Sequence, residues 1–250
     1  MISLAEMTIG GLCMMGINSG STCFLKTLDP EAKGLLRSCL VCVDLDQGAI
    51  LEKPGERISQ LFLLDTAVVS FVAIGAAGQR VEIGTVGYGG ATGIALMFGS
   101  AYSPNVEATV EVRGTAWRLT AEDFSRITEE NRDLRQAFLH LAFDHLRRVT
   151  DGALAMGCLS VQLRVARWLL MATEAQEDTL VGITHERLAE LLCARRSSVT
   201  VALHKLEGIK VIRAGRSRIE VDRERLSFFL DQSSKASRRS SRNDGDQISM

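Results

Sequence analysis

The stretch that most restricts this 250-residue chain is Ile183 to Leu206, ITHERLAELLCARRSSVTVALHKL. Its apolar residues fall into two sets at helical spacing. The first is Leu188, Ala189, Leu191 and Leu192; the second, after Cys193-Ala194, is Val199, Ala202, Leu203 and Leu206. The spacing predicts two short helices joined by a tight turn. Thr184 stands where an N-cap hydroxyl takes an orphan backbone N–H. The second helix opens on Arg195-Arg196-Ser197-Ser198, with Thr200 and Lys205 further along. A helix with a basic, hydroxyl-bearing start, braced by another helix, suits insertion into the DNA major groove. The same residues also fit a basic helical hairpin on a protein surface, and the context has to choose.

The context favours DNA. Two β-branched runs, Ile209–Ile212 and Ile219–Val221, flank a Gly-containing turn and read as a hairpin wing. Arg213, Arg216 and Arg218 sit on or beside that turn. From Gly182 to Leu226 there are ten Lys and Arg against six Asp and Glu, a net of +4. Residues 1–181 carry a net of −6 and the end from Ser227 a net of +1, giving −1 for the chain. A near-neutral chain thus holds a basic module beside an acidic body, the asymmetry of a protein with one nucleic-acid face.

In these residues the chain resembles the cyclic-AMP receptor / fumarate–nitrate regulator (CRP/FNR) family of bacterial winged-helix transcription factors. The resemblance spans roughly Phe24 to Leu230. It is strongest in ARWLLMA (Ala166–Ala172), ITHERLAELL (Ile183–Leu192) and RRSSVTVALHKLEG (Arg195–Gly208). It is looser in GAILEKPGERISQLFLLDTAVVS (Gly48–Ser70) and VEIGTVGYGGATGI (Val81–Ile94). The family usually has Gly in the inter-helix turn, where this chain has Cys193. A side chain there has to tolerate a strained backbone, at a cost on the order of 1 kcal/mol.

The expected fold is α+β: an N-terminal antiparallel β-roll like a cyclic-nucleotide-binding domain, a long dimerisation helix, and a C-terminal winged helix-turn-helix. The expected boundaries are a flexible arm (1–23), the roll (24–121), the helix (122–158), the winged module (159–230) and a disordered tail (231–250) whose Ser-rich, charged composition buries little. Asp29-Pro30 reads as N-cap and N1 of a helix to about Ser38. From Val41 to about Leu119 the pattern is β, with strands over Ile58–Leu64, Ala67–Ile74, Val81–Val86 and Val106–Trp117. In the last run Val106, Ala108, Val110 and Val112 alternate with Glu107, Thr109, Glu111 and Arg113, a half-buried strand.

The long helix begins at about Glu122 or Arg132 and ends near Gly157. Leu134, Phe138 and Leu141 step by four and three residues. Ala142, Leu146, Val149, Ala153 and Met156 then step by four, three, four and three, one residue out of phase, like a stutter in a coiled-coil seam. The resemblance implies that this stripe pairs two subunits; packing on the chain's own roll is the other reading. A homodimer would set two recognition helices about one DNA turn apart, ~34 Å, over a two-fold symmetric double-stranded site. The resemblance also implies RNA polymerase as a further partner.

Family members that bind a cyclic nucleotide use a Gly-Glu pair for the ribose and an Arg before Ser or Thr for the phosphate. In the matching stretch, Gly89–Asn105, Ile94 follows Gly93, and Ser103 or Pro104 stands for the Arg. A phosphate leaving water without a cation is poorly compensated, so no cyclic nucleotide is expected. Gly87-x-Gly89-x-x is followed by Thr92, which breaks the dinucleotide fingerprint as well.

Cys39-x-x-Cys42 is the only close thiol pair among six cysteines (13, 23, 39, 42, 158, 193), matches no iron–sulfur run, and reads as core packing. Cys193 lies in the inter-helix turn, where its oxidation would disturb DNA binding. His140, His145, His185 and His204 show no metal spacing, so no metal and no cofactor are expected. The cysteine usage, the lack of a secretory signal and the lack of an apolar run of ~18–20 residues are what a cytoplasmic protein without a membrane contact has. No nucleophile–base or carboxylate pair points to an enzyme.

The resemblance assigns base reading to Arg196 and Ser197, with Thr200 and Val201 on the same helix. Arg is the side chain that grips guanine O6 and N7, and Val201 suits a thymine methyl. Reference members have Glu at position 197 and Arg at 201, so their half-site is not expected here. Thr184, His185, Arg195, Ser198, Lys205, Arg213, Arg216 and Arg218 are the expected phosphate contacts. The competing reading is a small-molecule or redox-sensing module with a β-roll and no specific DNA site.

Overall fold

A computed structural model describes residues 28–103, 105–174, 179–215 and 217–233. The chain divides into two compact units, Met1–Leu154 and Ala155–Met250. The arm expected over 1–23, with Cys13 and Cys23, and the tail past 233 lie outside the described residues.

The first unit opens with α1 (Pro30–Cys39), started by Asp29, whose Oδ1 accepts the Ala32 N–H at 2.7 Å. Seven strands follow: β1 (Val41–Leu45), β2 (Ile50–Glu52), β3 (Gln60–Leu64), β4 (Val68–Ile74), β5 (Arg80–Val86), β6 (Val106–Val112) and β7 (Gly114–Thr120). They form two antiparallel sheets, β1-β7-β3 and β2-β6-β4-β5. The single long strand expected over Val106–Trp117 is in fact two, one in each sheet. The break falls at Arg113-Gly114, where a Cβ on Gly114 would come within 2.4 Å of the Ala67 backbone N. Only glycine lets the chain pass there. The alternation expected in β6 holds for Ala108, Val110 and Val112, which are buried, but Glu111 is buried too. Its carboxylate accepts the Ser70 hydroxyl, which accounts for a polar group inside the sheet.

The roll is followed by α3 (Ala121–Glu130) and α4 (Arg132–Cys158), so both starts read for the long helix exist. Asn131 interrupts them with extended dihedrals, and its Oδ1 then accepts the Leu134 N–H at 2.9 Å as the cap of α4.

The first half of α4 corrects the expected subunit seam. Leu134, Phe138, Leu141 and Ala142 are all buried in this chain's own core, with Leu36, Leu61, Leu119, Phe124 and Ile127. The physical reason is that a stripe of Leu and Phe packs on whichever apolar surface is tethered nearest, and the roll supplies one. The same inward face continues through His145, whose ring meets Phe71 edge-on at 4.7 Å, and Val149, against Gly84 of β5. What α4 leaves exposed is Leu139, Phe143 and Leu154 together with Leu146, Ala153 and Met156 of the expected seam.

His145 carries a pH consequence. Burial, with the Arg148 charge adding, pushes its pKa from the ordinary 6.5 down to about 4. The unfolded chain therefore takes up this proton below about pH 6.5 and the folded chain only near 4. The stability contribution is complete above pH 6.5 and is lost as the pH falls through that window, on the order of 2–3 kcal/mol. The buried Glu52 acts with the opposite sign, because its pKa is raised by burial and the folded state holds its proton more tightly. Thermal melts of the wild type and His145→Leu between pH 7 and pH 4 isolate the histidine: the variant is expected to lose less stability over the range. Parallel curves would contradict this.

The second unit contains α5 (Val161–Glu174), β8 (Leu180–Val181), α6 (His185–Leu191), α7 (Arg196–Gly208), β9 (Ile212–Gly215) and β10 (Arg218–Val221). A last helix, α8, covers residues 223–233, past the expected end of the module at 230. Val165, Ala166, Trp168 and Leu169 of α5, Leu188 and Leu191 of α6, and Val199, Leu203 and Leu206 of α7 are all buried. This is the apolar pattern read from the sequence. The expected hairpin is present, and β8 pairs with β10 to complete a three-stranded sheet, β8-β10-β9. Only two residues long, β8 carries too little pattern to be read in advance.

Candidate nucleic-acid interface

Both helices of the pair are set by local chemistry. Thr184 caps α6, its Oγ1 accepting the Arg187 N–H at 3.1 Å. At the other end of α6, Cys193 N–H donates to Glu190 O and Ala194 N–H to Ala189 O. This is the two-bond Schellman closure, with Cys193 in the left-handed position at φ 46°. The strain expected where the family has Gly is therefore present. α7 ends in the same way, with Lys210 at φ 58° and bonds from Lys210 N–H to Glu207 O and Val211 N–H to Leu206 O.

Cys193 is exposed and its backbone conformation suits glycine. Cys193→Gly is expected to raise stability by up to about 1 kcal/mol, the relief of strain being partly offset by the freer unfolded chain. Chemical denaturation measures this, and a clear loss of stability would show that the thiol makes a contact worth more than the strain.

Three further bonds hold the module together, none readable in advance. Arg164 of α5 donates from Nη1 to Leu192 O at 2.7 Å, satisfying a carbonyl at the end of α6. Glu207 Oε1 accepts the Ala214 N–H at 3.0 Å, tying α7 to the first wing strand. Arg225 of α8 reaches Lys210 O from Nη1 at 3.4 Å. Long side chains acting across the fold leave no periodic trace in a sequence.

The structure brings most expected contacts into one small module. Arg195 is the N-cap of α7 and makes no side-chain cap bond; the Ser198 N–H donates to Arg195 O at 2.9 Å, which leaves the N–H groups of Arg196 and Ser197 for an outside acceptor. Arg195, Arg196, Ser197, Val201 and Lys205 are exposed, Val201 at 52%, whereas Ser198 is half-buried. Behind them Val199, Ala202, Leu203 and Leu206 are buried, which fixes the face α7 presents. Arg213 and Arg218 are exposed on β9 and β10, and Arg216 lies outside the described residues. Thr184 is exposed at the start of α6. Thr200 differs: its hydroxyl lies 3.1 Å from His185 Nδ1 rather than open to solvent.

Of the close thiol pair, Cys39 packs against the core of the first unit as expected and Cys42 departs from that reading. Cys42 is exposed, and Cys39 is half-buried with its Sγ 3.1 Å from Arg126 Nη2. Among the described residues no group of three or more His, Cys, Asp or Glu is arranged to hold a metal, and no helix is long and apolar enough to cross a membrane.

An uncapped basic helix start, a buried brace and an arginine-bearing wing define a winged helix-turn-helix of the DNA-binding class. Comparison then gives the kind. Residues 163–229 match the family of the Crp-like helix-turn-helix domain. The chain is similar in structure to FixK2 from Bradyrhizobium japonicum, at 16% identity and a TM-score of 0.61, covering 75% of this chain and 96% of that one. It is similar to TTHA1359, a CRP/FNR-family transcriptional regulator from Thermus thermophilus, at 19% identity and a TM-score of 0.58, covering 76% and 98%. It also resembles the c-di-GMP-responsive global regulator CLP of Xanthomonas campestris, at 16% identity and a TM-score of 0.57, covering 77% and 99%. No curated protein matches by sequence. The second unit carries a Crp-like helix-turn-helix domain, and the chain has the fold of the CRP/FNR transcription regulators.

Proposed function

We propose that this protein is a homodimeric regulator that reads a two-fold symmetric DNA site with its winged helix-turn-helix, and that its roll takes no cyclic nucleotide. The observation that carries the DNA reading is the division of α7: Arg196, Ser197 and Val201 are exposed on one side while Val199, Leu203 and Leu206 anchor the other. Arg196 and Ser197 are the base readers at the helix start, with Val201 one turn on. Thr184, Arg195, Lys205, Arg213 and Arg218 contact phosphate and set the register.

The dimer rests on the exposed row of α4. Leu139, Phe143, Leu146 and Ala153 follow a seven-residue repeat, with Phe143 at 65% and Leu146 at 58% exposure. An apolar row of this kind on a helix that already buries its other face calls for a partner, and a second copy presents the same row. Met156, 37% exposed, extends it towards the end of the helix.

In the roll, the Gly93 N–H is already taken by one of the chain's own carboxyl groups. Glu52 is buried, and its Oε1 accepts the N–H of Gly93 at 2.6 Å, at the start of a short helix, α2 (Ile94–Met97). A Cβ on Gly93 would come within 3.1 Å of the Leu61 Cα, so the turn packs directly on β3. A nucleotide phosphate entering here would meet a carboxyl group already holding the donor, in a stretch without the usual arginine.

The test is selection from a pool of random duplexes with the purified full chain and no added ligand, followed by titration calorimetry with cyclic AMP and cyclic GMP. Enrichment of a two-fold symmetric site and no heat from either nucleotide are expected. An unenriched pool, even with cell extract added, would overturn the DNA reading; a saturable heat would overturn the statement about the roll.

A further inference from the structure

The start of α6 and the second turn of α7 are joined by one side-chain pair, His185 Nδ1 to Thr200 Oγ1 at 3.1 Å. This removes from the groove-facing set a hydroxyl that the sequence places among the base readers. Thr200 is half-buried, whereas Arg196, Ser197 and Val201 are exposed. The second ring nitrogen, His185 Nε2, has no hydrogen-bond partner among the described residues.

In a neutral imidazole one nitrogen carries the proton and the other accepts, and a hydrogen bond to one decides the state of the other. Two arrangements fit the contact. If the Thr200 hydroxyl donates to Nδ1, the proton resides on Nε2, and the nitrogen without a partner is a donor. If Nδ1–H donates to the hydroxyl, Nε2 presents a lone pair. Of these two neutral forms, only the first is compatible with a phosphate oxygen beside the ring. The first helix of a helix-turn-helix crosses the DNA backbone, which puts His185 next to phosphates when α7 enters the groove.

Resting on the DNA-binding reading above, we propose that Thr200 is a positioning residue and not a base reader. Its hydroxyl donates to His185 Nδ1, holds the imidazole in the Nε2–H tautomer, and so presents that N–H to a DNA phosphate. Sequence is then read by Arg196, Ser197 and Val201, and the His185–Thr200 pair sets how firmly α6 and α7 grip the backbone. Because a phosphate carries no sequence information, losing the hydroxyl weakens every duplex alike.

Thr200→Val keeps the shape of the side chain and removes the hydroxyl. It is expected to weaken the selected site and a scrambled duplex by the same factor, about five- to tenfold, with base preferences unchanged at every position. Thr200→Ser is expected to restore binding. A Thr200→Val protein that relaxes preference at one base pair of each half-site would overturn the proposal and restore the base-reader role.

Side-chain 15N spectra of the wild-type chain, free of DNA, test the tautomer directly and need no variant. A protonated Nε2 with an unprotonated Nδ1 is expected at His185, and the opposite tautomer would overturn the proposal. If the wild type selects no DNA site at all, the DNA-binding reading fails and the phosphate role fails with it. Specific wild-type binding with a wrong tautomer or a relaxed base pair sinks this inference alone.

Discussion

Phe143→Asp is expected to give a monomer that binds its DNA site on the order of a hundredfold more weakly. Phe143 is 65% exposed, so the chain's own core gains little from it. A carboxylate in the middle of the Leu139, Phe143, Leu146, Ala153 row would have to be buried without a partner in a two-fold seam, and the symmetry places two of them there. The loss on DNA follows from valence. Two recognition helices held on one dimer bind two half-sites with the second event made intramolecular, which raises avidity by about 10²–10⁴ over one helix. Sedimentation equilibrium reads the oligomeric state, and a thermal melt checks that the roll is intact. The melt should be within about 0.5 kcal/mol of the wild type once measured at dilutions where both are monomeric. A dimer that survives Phe143→Asp would show that another face of the chain makes the contact. Leu141→Ala provides the contrast. Buried at 5% exposure in the chain's own core, it is expected to lower stability by about 2–5 kcal/mol without being part of the seam.

The second large effect is on sequence preference. Arg196 is the first residue of α7 and is exposed, with no ion pair or side-chain hydrogen bond among the described residues. An arginine so placed has its planar fork available to the O6 and N7 edge of guanine, a pairing that contributes about 1–3 kcal/mol of discrimination. Arg196→Ala is therefore expected to lose preference at one base pair in each half-site, roughly tenfold to a hundredfold per position, while the other positions keep theirs. Selection from random duplexes with both proteins, read by sequencing, gives the result position by position. A uniform loss over all sequences would assign Arg196 to phosphate instead, and it would then be accompanied by a shallower salt dependence, by about one unit of slope.

The winged module was legible residue by residue because its signals are local. Thr184 caps a helix through a bond three residues away, the apolar set of α7 recurs every three or four residues, and the strain at Cys193 follows from a turn whose bonds span five residues. The roll was legible as β but not as two sheets. The chain crosses from one sheet to the other at Gly114, where the space available is set by Thr66 and Ala67, some fifty residues earlier. Burial of Glu111 and Glu52 was hidden for the same kind of reason, since their partners are Ser70 and Gly93, each forty-one residues away.

The long helix shows the division most clearly. Its sequence contains two apolar stripes at almost the same spacing, and periodicity alone ranks them equally. Leu134, Phe138, Leu141 and Ala142 were assigned to the subunit seam, but the roll already covers them, and the row left over begins at Leu139 and Phe143. Thr200 is the small-scale version: the register of α7 made it a neighbour of the base readers, and only the approach of His185 across the helix pair shows its hydroxyl engaged. Helix ends, caps, the helix-turn-helix and its basic charge are written in neighbouring residues, because backbone hydrogen bonding and side-chain period act over one or two turns. Which apolar face is inside, which carboxylate is buried and which hydroxyl is committed depend on residues brought together from far along the chain, and folding alone decides those.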